Sequence, residues 1–150
     1  MTIDDEMKAL KEREAKAAAE LEPFLDQRAT RRALGEYRRK VERKEQAAKD
    51  APRIVEAEDE HGPIGERIAV VETDLGAIVV KRPHHLIFRR FQDKGSTKSD
   101  DLWALVKPSI VYPDAKRVDQ IIEELPATLS QLADEVVTLA GVRSKEAAGK

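Results

Sequence analysis

The chain has 150 residues, enough for one ordinary domain plus an extension. Charged residues make up 37% of it, hydrophobic residues 41% and aromatic residues only 4%, which suits exposed helices around a modest core and excludes a large buried interior. A net charge of −2 gives no global drive toward nucleic acid or an anionic membrane, the lack of cysteine excludes disulfides and thiolate metal sites, and no apolar run reaches the roughly 20 residues that span a bilayer.

Residues 1–50 read as a helical arm. Thr2 with Asp5 three residues on is a capping-box pattern, which satisfies the free amides of a helix start. Ala, Glu, Lys and Arg dominate thereafter and favour helix. The apolar residues are sparse: Leu10, Ala17, Leu21, Phe24, Leu25, Leu34, Tyr37 and Val41. Their steps of three and four put each group on one face, as a narrow stripe. Pro23 pushes Glu22 away from helical dihedrals and is expected to break the helix into two pieces, and Gly35 weakens the second. Residues 51–66 are expected to be a linker. They include Pro52, the acidic cluster Glu56, Glu58, Asp59 and Glu60, and the pair Gly62–Pro63.

A domain is predicted over residues 67–142, giving an α+β, mostly helical fold. Two β-branched runs, from Ile68 and from Ala77, flank Asp74-Leu75-Gly76, which reads as a tight hairpin with Gly76 at positive φ. His84–Lys94 reads as a helix with Leu86, Ile87, Phe88 and Phe91 inward. A short helix follows, capped by Thr97 with Asp100 or by Ser99, holding Leu102, Trp103, Leu105 and Val106, and stopped by Pro108. Two strongly patterned helices come next. One runs from Pro113 with Val118, Ile121, Ile122 and Leu125 inward, and Pro126 ends it. The other buries Leu129, Leu132, Ala133, Val136, Val137 and Ala140, with Gly141 at its C-terminal cap. Residues 143–150 read as a polar tail.

Little in the chain resembles a reactive centre. His84 and His85 are adjacent, so on a helix they diverge by about 100° and form no ready chelate. The acidic cluster at 56–60 lacks the ligand spacing and central glycine of a calcium loop. Nucleophile-elbow, phosphate-loop and dinucleotide-loop patterns are missing from the sequence. The expectation is a non-enzymatic protein without cofactor or metal. A second possibility is local. Arg28, Arg31, Arg32, Arg38, Arg39, Lys40, Arg43 and Lys44 form one basic stretch that could grip phosphates by charge. Glu36 and Glu42 dilute it, and pairs such as Glu36 with Lys40 make an ordinary solvated helix the alternative. The arm's stripe of Leu10, Leu21, Leu25, Leu34, Tyr37 and Val41 is too sparse for a core of its own, and a partner surface would complete it. The sequence therefore predicts that residues 1–50 can be removed at the cost of binding without unfolding residues 67–142.

Gly76-Ala-Ile-Val-Val-Lys-Arg-Pro, running into His-His-Leu-Ile-Phe-Arg-Arg-Phe, resembles the middle of the tail assembly chaperones of long-tailed bacteriophages. So does Leu105-Val-Lys-Pro-Ser-Ile-Val-Tyr-Pro, followed by a helix, Leu125-Pro126, a second helix and Leu139-Ala-Gly141. The resemblance covers about residues 67–142. It implies a short hairpin followed by small helices, the last two separated by a proline. It also implies a function: masking the apolar stripe of the long helical tape-measure protein and recruiting tail tube subunits, with no catalytic residue. The partners would be the tape-measure and tube proteins, with self-association possible and no membrane. The place would be the cytoplasm of the bacterial host, with the protein absent from the mature virion. A charged N-terminus without a basic start and apolar centre agrees with synthesis and action in the cytoplasm. A structural virion protein is a further alternative.

Overall fold

The structure, a computed structural model, describes residues 2–141. The tail expected at 143–150 lies outside the described residues. The fold is α+β and mostly helical, as expected, and the chain divides into two compact units with the boundary between Glu42 and Arg43.

Helix α1 spans Ile3–His61. Its start is the capping box: Asp5 N donates to Thr2 Oγ1 at 3.2 Å and Thr2 N donates to Asp5 Oδ2 at 3.3 Å. Two expectations fail along it. The helix does not break at Pro23, although an interior proline costs about 3 kcal/mol. The strong helix formers on either side outweigh that loss. The stretch 51–61, expected as linker, is also helical. Packing explains it: Ala57 is buried and Ile54 half-buried against Ile68 and Val79. These apolar contacts and an anchored carboxylate, described below, override the turn-like composition. Residues 62–67 alone connect α1 to the sheet.

Strands β1 (Ile68–Thr73) and β2 (Gly76–Lys81) form the expected hairpin, with Ala69 opposite Val80 and Val71 opposite Ile78. A third strand, β3 (Ile110–Tyr112), was not expected. It pairs antiparallel with the other edge of β2. Ala69, Val71, Ile78 and Val80 face the C-terminal helices. Ile68 and Val79 face α1. The central strand β2 is thus covered on both faces, which is why its sequence is a continuous apolar run rather than an alternation.

The remaining helices close one side of this sheet. In α2 (His85–Lys94), Ile87, Phe88 and Phe91 pack half-buried on the core, whereas Leu86, expected inward, is exposed. His84 caps α2, its Nδ1 accepting from Leu86 N at 3.2 Å. Helix α3 (Ser99–Val106) begins after Lys98, without the side-chain cap expected from Thr97 or Ser99, and buries Leu105 and Val106. A short 3-10 turn, Lys107–Ser109, follows. Helix α4 (Ala115–Glu124) starts after Asp114, not at Pro113, because the Asp114 carboxylate accepts from Arg117 N at 2.8 Å. It buries Val118 and Ile121, with Leu125 half-buried behind them. Helix α5 (Ala127–Leu139) buries Leu129, Leu132, Ala133, Val136 and Leu139, and Gly141 follows it at φ +102°. Arg82, just past β2, donates from Nε to the Leu139 carbonyl and from Nη2 to the Glu66 carbonyl, both at 3.0 Å. It satisfies a free carbonyl at the α5 terminus with a cation, where the helix dipole favours one.

Candidate protein-binding helix

Between Thr2 and Glu42 every described residue is exposed except the half-buried Gly35. The stripe proposed from sequence lies here: Leu10, Leu21, Leu25, Leu34, Tyr37 and Val41 are all exposed, from 37% for Val41 to 67% for Tyr37. Ile3, Met7 and Phe24 are exposed with them. Because the helix runs unbroken through Pro23, the stripe is not one surface. At about 100° per residue, Ile3, Met7, Leu10, Leu21, Phe24 and Leu25 share one side of the helix, whereas Leu34, Tyr37 and Val41 fall on the opposite side. Two separate pieces, as the proline suggested, would have hidden that split.

The basic stretch is also divided. Arg28, Arg32 and Arg39 continue the first apolar side within about 40°, Arg31 and Arg38 flank it, and Lys40 points elsewhere. Arg32 Nε pairs with Glu36 Oε1 at 3.2 Å in the ordinary i, i+4 manner. In the second unit Arg43 pairs with Asp74 at 3.3 Å, and Lys44 is exposed.

The second unit contains one polar cluster that sequence reasoning missed. Asp50 is 3% exposed. Its Oδ2 accepts from Ala77 N at 2.9 Å; its Oδ1 accepts from Tyr112 OH at 2.6 Å and from Gln46 Nε2 at 2.9 Å. The carboxylate therefore fastens α1 to β2 and β3 at once. The hydrogen bond to Asp50, then burial, then the Asp50 charge raise Tyr112 above its ordinary value of 10.0. A cleft of about 600 Å³ lies alongside, lined by Arg43, Ile54, Glu72, Asp74 and Gly76 among others. Two of the three donors around Asp50, the Ala77 amide and the Tyr112 hydroxyl, belong to the sheet and the third, Gln46, to the same helix, so the cluster is a clamp between α1 and the sheet. Buried Asp50, twenty-seven residues before its amide partner Ala77, carries no local signature in the sequence.

His84 and His85 do not diverge as expected: their rings stack with centroids 4.5 Å apart. Among the described residues no group of three or more His, Cys, Asp or Glu is placed to hold a metal ion, and no helix is long and apolar enough to cross a membrane. Comparison with known proteins adds nothing to this picture, since no family model, curated protein or solved structure matches the chain.

Proposed function

We propose that this protein is a non-enzymatic assembly chaperone of the phage-tail type, which holds an apolar helical segment of a tape-measure protein and releases it to tail tube subunits. The observation that carries the reading is the first unit: a continuous helix with nine large apolar side chains exposed between Ile3 and Val41. Exposed apolar residues scattered singly are ordinary, but nine on one helix without a covering element fit a protein partner. Each Leu buried by a partner contributes roughly 1.5 to 3 kcal/mol, so a few suffice for a reversible contact after ordering costs. Reversibility suits a chaperone, because tube subunits must displace it. The specific partner comes from the sequence resemblance over residues 67–142.

The test is co-expression of the full chain, and of a chain starting at Arg43, with a tape-measure candidate, a very long helical reading frame among the neighbouring genes, followed by pull-down. The full chain is expected to hold and solubilise that partner, and the shortened chain to hold it weakly. Failure of the full chain overturns the reading. The protein is proposed to act in the host cytoplasm and to be lost from the finished particle. Its presence in stoichiometric amounts in purified virions would instead make it a structural component.

A further inference from the structure

The first unit is electrically two-ended. Residues 4–26 carry eight acidic and four basic side chains, and residues 28–42 carry six basic and two acidic. Both ends share a side. Glu6 and Glu14 lie on the side of Leu10 and Leu21, and so do Arg28, Arg32 and Arg39. A surface of this kind is complementary to itself when turned end for end. Two helices related by a two-fold axis between Glu22 and Pro23 bring Leu21, Phe24 and Leu25 against the same residues of the second helix. In that register Leu10 falls level with Gly35 and Glu6 with Arg39, and Glu14 lies one residue from Arg32 on the same edge of the seam. Pro23 points away from the contact, so its missing amide does not touch the seam. Gly35 leaves room at the crossing: a Cβ there would meet only Arg39 Nη1, at 3.9 Å. A parallel pair in register would set Glu14 against Glu14 and Arg32 against Arg32, which is unfavourable.

We propose that this side of α1 joins a second copy of the chain in an antiparallel helical pair, with Leu21, Phe24 and Leu25 at its centre and the acidic half of each helix against the basic half of the other. The pair covers six of the nine exposed apolar residues and leaves Leu34, Tyr37 and Val41 outward, so a protein partner meets those three on the dimer and reaches the other six by displacing the second copy. The register contains two mismatches: Arg13 lies one residue from Arg31 of the other helix, and Ile3 falls level with Glu42. Arg32 shares its intrahelical partner Glu36 with Glu14 or exchanges one for the other, which costs little because both side chains of the existing pair are exposed and water competes for them.

Sedimentation of the intact protein at rising ionic strength tests the pairing, with added cysteines testing its direction in a chain that has none of its own. A dimer that weakens with salt is expected, and a monomer overturns the proposal. Leu21→Asp with Phe24→Asp is expected to give a monomer whose thermal transition is unchanged. Glu14→Arg is expected to weaken the dimer roughly tenfold or more, Glu14→Arg with Arg32→Glu to restore it, and Arg13→Glu to tighten it. Oxidising a mixture of Leu10→Cys and Gly35→Cys proteins should link the two different variants. Linking of Leu10→Cys to itself alone shows a parallel pair and overturns the proposal. So does a monomer retained by duplex DNA at physiological ionic strength, which would assign the same side to phosphates.

Discussion

Asp50 is the side chain on which most depends in the second unit. Asp50→Ala strands the buried Ala77 amide and releases Tyr112, so it is expected to cost about 3 kcal/mol, read from urea unfolding. Gly76 is constrained twice. Its φ is +130°, and a Cβ there would stand 3.2 Å from Gln46 Cγ and 3.3 Å from Asp50 Oδ2. Gly76→Val should therefore cost about 2 kcal/mol or more and lower the thermal transition. Tyr112 gives the clamp a pH dependence. Its value is raised in the folded state, so its contribution is complete below the unfolded value of 10.0 and is lost as pH rises through the folded one. In a Tyr37→Phe protein, tyrosinate absorbance should report this titration displaced upward, and Asp50→Asn should bring it back toward 10.0. The positive φ of Gly76 was legible from its place after Asp74-Leu75, since a tight turn between β-branched runs demands it. Its close approach to α1 was not, because nothing local announces which helix will lie across a turn.

At the level of elements, periodicity read the C-terminal helices well, because Val118, Ile121, Leu132 and Val136 recur at helical spacing over whole turns. It read β3 not at all: three residues between Ser109 and Pro113 are too few for an alternation to show. It misjudged 51–61, where composition suggested a linker and a single buried alanine, Ala57, marks the contact. The two helices differ in sensitivity. Val136 is fully buried, so Val136→Asp is expected to cost several kcal/mol and unfold the second unit. Leu125 is only half-buried, and Leu125→Asp should lower the transition without abolishing it. In α1 the unbroken passage through Pro23 makes an opposite prediction: Pro23→Ala should stabilise the helix by about 3 kcal/mol, visible as slower amide exchange around Ala19.

For the whole molecule, the informative boundary is the one between Glu42 and Arg43. The sequence placed it in the linker expected over residues 51–66, where turn-forming residues gather, but a chain cut at the start of that stretch loses Gln46 and Asp50. A protein starting at Arg43 is expected to unfold like the parent's second unit, and one starting at Ala51 about 3 kcal/mol earlier in urea, for want of the clamp. The same clamp equips the protein with a built-in gauge. The Ala77 amide donates to a side chain of another element, while the amides of the strands donate along the sheet. Its proton can therefore exchange when the helix lifts, whether or not the sheet opens. The ratio of its exchange rate to that of a ladder amide in β2 would give the adhesion free energy of residues 43–61 from a single spectrum, under conditions where nothing else in the fold has moved.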